Sequence, residues 1–232
     1  MRYHIDTIPV WDALKRDSEC PLCDLEQQSE DSYLAYFIGA SVMEPDERVR
    51  VNETGFCADH LAGMFALQNR LPLALMAHTH MMAIINEMAP PAAQKNKRRL
   101  PFRKDKHDDA ETEPCILCDR LRDTMARYLY TMLHLYQTDT EFRSTLERSK
   151  GLCMPHYAQV TRMAAEALSA SHAAEFCERL FALQQANMRR VEKELHWFTQ
   201  KFDHKNRDEP WGNSRDALER AIWKLRGKMR GR

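Results

Sequence analysis

The sequence predicts an all-α protein, a helical bundle built from two pseudo-repeated halves. Three observations lead there. The 232 residues include only 7 Gly, and long stretches are rich in Leu, Ala, Met, Glu, Arg and Gln, the residues that cost least in a helix. Apolar residues recur at steps of three and four along several segments, the period of a helix with one buried face. Finally, one order of motifs occurs twice, on either side of a charged middle segment, and a recurring order of this kind defines structural units.

Composition narrows the setting. With 44% hydrophobic residues the chain can bury a core, and its 34 Lys/Arg balance 34 Asp/Glu, which argues against wholesale attraction to nucleic acid or membrane. The N-terminal "MRYHIDTIPVW" shows no apolar signal region. The densest apolar run, Leu34 to Met43, is far shorter than the ~18 residues that would suggest a membrane span. A cytoplasmic location is expected. Thiols stay reduced there, so cysteine clusters are more often metal-binding or catalytic than disulfide-forming; seven cysteines, an odd number, fit.

The first half, residues 1–88, opens with a short helix expected near Thr7, with Pro9 in its first turn. Next comes "CPLCD", with Cys20 and Cys23, and a helix on which Leu34, Phe37, Ile38 and Val42 share a face. A polar stretch, "EPDERVRVNET", leads to "GFCADH", with Cys57 and His60 opening another helix. His78 and His80 in "MAHTHMM" lie two apart, so on a helix they point different ways and are read as surface or core histidines. Residues 89–114 hold three prolines before Pro114, seven Lys/Arg from Lys95 to Lys106 and four acids from Asp108 to Glu113. Such blocks mark a flexible linker.

The second half, residues 115–202, repeats the plan. "CILCD" carries Cys115 and Cys118, and Leu121, Met125, Tyr128, Met132 and Tyr136 follow at helical steps. The polar "TDTEFRSTLERSK" leads to "GLCMPH", with Cys153 and His156 and a proline suited to a first helical turn. The offset is 95 from Cys20 to Cys115 and 96 from Cys57 to Cys153. A long helix is predicted from Ser171 to Phe202, its stripe formed by Phe176, Leu180, Leu183, Val191, Leu195, Phe198 and Phe202. Cys177, on that helix, has no counterpart and reads as a small buried hydrophobe. The C-terminal segment, 203–232, ends in a basic amphipathic helix from Ser214 to about Lys228, docking through Ala217, Leu218, Ala221, Ile222 and Leu225.

The repeated cysteines and histidines carry the chemistry. Three thiolates and one imidazole from two local pairs suit tetrahedral zinc, which gives two candidate sites: Cys20, Cys23, Cys57 and His60 in one half, and Cys115, Cys118, Cys153 and His156 in the other. Helix N-termini favour thiolates there, and Gly55 and Gly151, two residues before each cluster cysteine, permit left-handed backbone. The gaps of 33 and 34 residues between pairs exceed those of a small zinc finger, so each ion would pin helices of a bundle. An iron–sulfur cluster can also use three cysteines and a histidine. A closed four-ligand set has no open position for substrate, which argues for a structural metal. Asp59, a tempting general base inside "CADH", has Pro155 as its counterpart.

The combination of "TIPVWDALKRDSECPLC", the "GFCADH" and "GLCMPH" clusters and "KFDHKNRDEPWGNSRDALERAIWKLRG" resembles a family of uncharacterised bacterial proteins, a domain of unknown function. The resemblance spans nearly the whole chain and implies a stand-alone bacterial protein, with no activity, substrate or partner attached. The expectation is a binding or adaptor protein holding two zinc ions. Its partner, a protein or nucleic acid, would meet the basic linker and C-terminal helix. The alternatives are an iron–sulfur or thiol redox protein and, more remotely, a metal-dependent enzyme with a site between the halves.

Overall fold

The computed structural model describes residues 3–88 and 114–229. Among them the secondary structure is helical, without strands: α1 (Tyr3–Lys15), α2 (Pro21–Phe37), α3 (Pro45–Thr54), α4 (Ala58–Ala66), α5 (Arg70–Glu87), α6 (Ile116–Thr138), α7 (Thr140–Glu147), α8 (Met154–Ala167), α9 (Ala170–Gln200) and α10 (Ala217–Arg226), with short 3-10 turns between some of them. The all-α expectation holds. Apart from Pro114, the segment expected as a linker lies outside the described residues. No helix among the described residues is long and apolar enough to cross a membrane.

The chain forms two compact units, and their boundaries fall inside helices rather than at the charged segment. Unit 1 comprises Met1–Gln27 and Met125–Arg232; unit 2 is Gln28–Thr124. Thus α2 and α6 each pass from one unit into the other.

In unit 1, α9 packs against α8 and α10, and α7 packs against α1 and α9. Phe142, Phe176, Leu133, Leu146, Leu152 and Val160 are fully buried. Trp11 meets Phe142 edge-on at 5.1 Å, and Tyr136 meets Phe176 at 4.8 Å, the T-shaped arrangement aromatic pairs favour. In unit 2, α5 packs along α3 and also meets α4. Its core gathers Phe37, Val51, Met64, Met76 and Leu117, with Phe56 edge-on to Phe37 at 5.1 Å. Leu34, Phe37, Ile38 and Val42 all join that core. Tyr33 and Thr124 hydrogen-bond at 2.6 Å, tying α2 to α6.

Several local expectations change. Pro9 sits inside α1, not in its first turn, because the helix begins at Tyr3. Both polar stretches ahead of the Cys-x-x-His motifs are short helices. Pro45 opens α3, and Asp139 caps α7 by accepting from the backbone N–H groups of Glu141 and Phe142 at 2.9 and 3.0 Å. On α9 the buried stripe is Phe176, Leu180, Gln184 and Val191, while Phe202 is exposed. The docking face of α10 is Ala217, Ala221 and Lys224, with Leu218 and Leu225 exposed. A lysine thus takes the place expected for leucines.

Candidate metal centres

All eight sequence-predicted ligands come together, in two groups of four. The first, in unit 1, is Cys20, Cys23, Cys153 and His156; the second, in unit 2, is Cys57, His60, Cys115 and Cys118. Within each group the four donor atoms lie within 4.8 Å of one another. The grouping differs from the one expected. Each Cys-x-x-Cys joins the Cys-x-x-His of the other sequence half, not the one that follows it. Helices lie between the two motifs of each half. From Cys23 the chain runs along α2, whose 17 residues span about 25 Å, before the 10 residues of α3, about 15 Å long, lead to Cys57. The 23 residues of α6 and 8 of α7 give about 35 and 12 Å.

Local sequence explains how each ligand is presented. Cys57 and Cys153 are the N-cap residues of α4 and α8, placing His60 and His156 in the first turn beside them. Cys20 and Cys115 stand at the starts of α2 and α6, with Cys23 and Cys118 inside the first turn. Each site is thus a meeting of two helix N-termini, whose partial positive charge favours thiolates. Gly55 and Gly151 both have φ of +74°, the backbone that glycine was expected to supply. At Gly55 there is no room for more: a Cβ would lie 2.5 Å from His80 Nε2.

The donors are Sγ and Nδ1 in both sites. In the first, His156 Nδ1 lies 3.6, 3.4 and 3.2 Å from the sulfurs of Cys20, Cys23 and Cys153, and Cys23 and Cys153 are 3.6 Å apart. In the second, His60 Nδ1 lies 3.1, 3.3 and 3.4 Å from Cys57, Cys115 and Cys118, and Cys57 and Cys118 are 3.8 Å apart. Each outward Nε2 faces a carboxylate. His60 reaches buried Glu30 at 3.2 Å, and His156 reaches the half-exposed Glu26 at 3.7 Å. Such partners orient a ligating imidazole and fix its tautomer. The sequence reading missed both glutamates; their signal is an acid three and seven residues after Cys23, on the helix that motif opens.

Among themselves the donors share protons unevenly. Burial pushes the Cys20 thiol well up, while hydrogen bonds from Cys153 and Cys20 hold Cys23 far below the usual thiol range. Burial and then the neighbouring Cys115 raise Cys118. Burial also raises Cys115, but His60 and the backbone N–H groups of Cys118 and Cys57 together more than offset this and bring it to about 6. Burial disfavours both charged imidazoles, yet the adjacent sulfurs, with Glu30 beside His60, raise His60 and His156 to about 10. A cation entering either site must displace those protons.

Around the first site lies a buried charge network. Lys224, on α10, donates to the carbonyl of Glu19 at 2.6 Å, to that of Lys150 and, at 3.5 Å, to that of Leu152, all on the loops that present Cys20 and Cys153. Its ammonium is 3.2 Å from the Glu19 carboxylate, which also takes Arg190 at 2.6 Å. Burial lowers the Lys224 pKa. Gln184 clamps Leu152 from both sides, accepting from its N–H at 3.0 Å and donating to its carbonyl at 2.8 Å. Among the described residues, the remaining histidines, Asp59 and Cys177 stand outside both groups, and Cys177, expected to be buried, is only half so. His78 is exposed, His80 Nδ1 is 3.0 Å from the carbonyl of Asn52, Asp59 is exposed, and burial raises the thiol of half-buried Cys177.

A family model described as "Family of unknown function (DUF6062)" matches residues 1–232. No curated protein and no solved structure matches the chain.

Proposed function

We infer the function from the two sites alone, because the chain belongs to the DUF6062 family, whose function is unknown. The reading is a helical binding or adaptor protein that holds one structural zinc ion in each Cys3His group. The observation that carries it is the size of each donor set. Zn–S of about 2.3 Å and Zn–N of about 2.0–2.1 Å imply tetrahedral edges of ~3.8 Å between sulfurs and ~3.6 Å between sulfur and nitrogen. One sulfur pair in each group lies 3.6 or 3.8 Å apart, the sulfur–nitrogen distances run from 3.1 to 3.6 Å, and no two donors of a group are more than 4.8 Å apart. A single ion fits such a set, whereas an iron–sulfur cluster needs its ligands spread around several metal atoms.

Four protein donors close a tetrahedron, so the role supported is to fasten helices rather than to activate water or substrate. Three thiolates, a neutral imidazole and Zn2+ leave net −1, which the paired helix N-termini offset and, at the first site, buried Lys224 offsets further. The test is metal analysis of protein purified without added metal. Colourless protein with two zinc per chain is expected; brown protein whose iron matches acid-labile sulfide would overturn the reading.

A further inference from the structure

The helix α5 is apolar on both faces, and among the described residues only one of them is covered. Between Arg70 and Glu87 it carries no Asp, Glu, Lys or Arg. Its inner face, centred on buried Met76, packs against α3 and α4. Its outer face presents Leu71, Ala74, His78, Met81, Ile85 and Met88 to solvent, with Leu75 and Met82 widening the stripe. Exposure reaches 69% at Leu71, 58% at Ile85 and 73% at Met88. A helix hydrophobic all round is normally buried.

The spacing says what kind of cover fits. The five helical positions from Leu71 to Ile85 follow three-four-three-four steps, the a/d seam of helices packed side by side, and Met88, the C-cap residue, extends the apolar strip past the helix end. The 18 residues of α5 span about 27 Å. Exposed Phe65, whose ring lies 3.5 Å under the Arg70 guanidinium, adds apolar surface at the N-terminal end. Together these give a patch of the order of the ~800 Å² per partner of a standard interface. Ordinary monomer surfaces rarely leave so much apolar area open. The chain immediately beyond, residues 89–113, is a poor cover by composition, with three prolines, seven Lys/Arg and no apolar repeat. An identical seam is self-complementary, and nothing on it repels a copy by like charge.

We propose that α5 is a homodimer interface, the exposed seam of one copy packing against that of a second in a symmetric helix pair. The three methionines on the stripe suit such packing, since their flexible side chains fill irregular gaps. The proposal is independent of the metal assignment, which is read by a different measurement.

Sedimentation velocity of the full, metal-loaded chain across about a hundredfold range of micromolar concentration tests it. A concentration-dependent dimer is expected. Ile85→Asp and Met81→Asp, each placing a charge in the seam, are expected to weaken dimerisation roughly 100-fold or more, with metal content and helicity unchanged. Phe181→Asp, at an exposed apolar position on α9, is expected to leave the dimer intact. A wild-type chain that stays monomeric throughout would overturn the proposal, as would a dimer indifferent to Ile85→Asp. Monomeric protein that floats with anionic phospholipid vesicles, and loses that binding in Ile85→Asp, would overturn it by assigning the seam to a membrane surface.

Discussion

The two centres share donors, helix N-termini and glycine turns, yet they are braced differently. In unit 1 all four candidate ligands are buried, and the presenting loops are held by Lys224 and Gln184 through backbone carbonyls. The carboxylate beside its imidazole is half-exposed and 3.7 Å away. In unit 2 Cys57 and Cys118 are partly exposed, while His60 faces a buried glutamate at 3.2 Å. Backbone support there includes the Ile116 N–H donating to the Gly55 carbonyl at 3.1 Å. The first centre is braced by hydrogen bonds to its loops, whereas at the second a buried carboxylate lies close to the imidazole without a well-aligned hydrogen bond. One donor set thus tolerates two means of keeping it in place.

The largest effect expected is from removing ligands in pairs. Cys20→Ala with Cys153→Ala strips one centre and leaves the other loaded, so metal content falls from two to one. Cys20→Ala with Cys57→Ala, both from the first half of the sequence, strips both centres and leaves none. Ligand sets formed within each half predict the reverse, so metal per chain decides between them. Each lost ion removes much of what holds its unit, since structural zinc contributes on the order of 10 kcal/mol in small domains.

Next in size is Lys224→Met. It leaves the carbonyls of Glu19, Lys150 and Leu152 short of a donor and removes a buried countercharge from Glu19. A cost of about 3 kcal/mol is expected, read by denaturant unfolding of unit 1, with the zinc of the second centre retained. Equal loss from both centres would erase the distinction drawn above. Smaller again is the change on neutralising the carboxylates. Glu30→Gln is expected to weaken zinc binding at its centre about 10- to 100-fold, and Glu26→Gln clearly less, because Glu26 is farther and more solvated; competition with a chromogenic chelator measures both. The smallest contrast lies in the glycines. Both substitutions to alanine are strained at φ +74°. Gly55→Ala is expected to cost about 1 kcal/mol more than Gly151→Ala. Its Cβ meets His80 at 2.5 Å, against 3.1 Å to the Gln184 side chain at Gly151.

Periodicity and spacing made much of this legible. The eight candidate ligands could be named because their types and offsets recur, α8 because a proline suits its first turn, and α9 because apolar steps run along it. What stayed hidden depended on distance in space. Pairing by proximity in sequence is the natural reading of Cys20 to His60, but the folded chain closes each group with donors far apart in sequence, and Cys23 meets Cys153 across 130 residues. Lys224 was hidden for another reason. A pattern reading turns every lysine outward, whereas three carbonyls and a carboxylate make this one affordable inside. Glu30 escaped notice because its partner lies on another helix, with no local motif to link them.

The crossed ligand sets also change what a break in the chain would do. Each centre takes two donors from residues before the charged segment and two from residues after it. With zinc bound, a peptide bond cut anywhere from 89 to 113 would leave two fragments riveted together at two points. The nicked protein would migrate as one particle on a sizing column and fall into two pieces when a chelator is added. The ions would then do for this chain what interchain disulfides do for secreted proteins, with a link that chelation, and not reduction, releases.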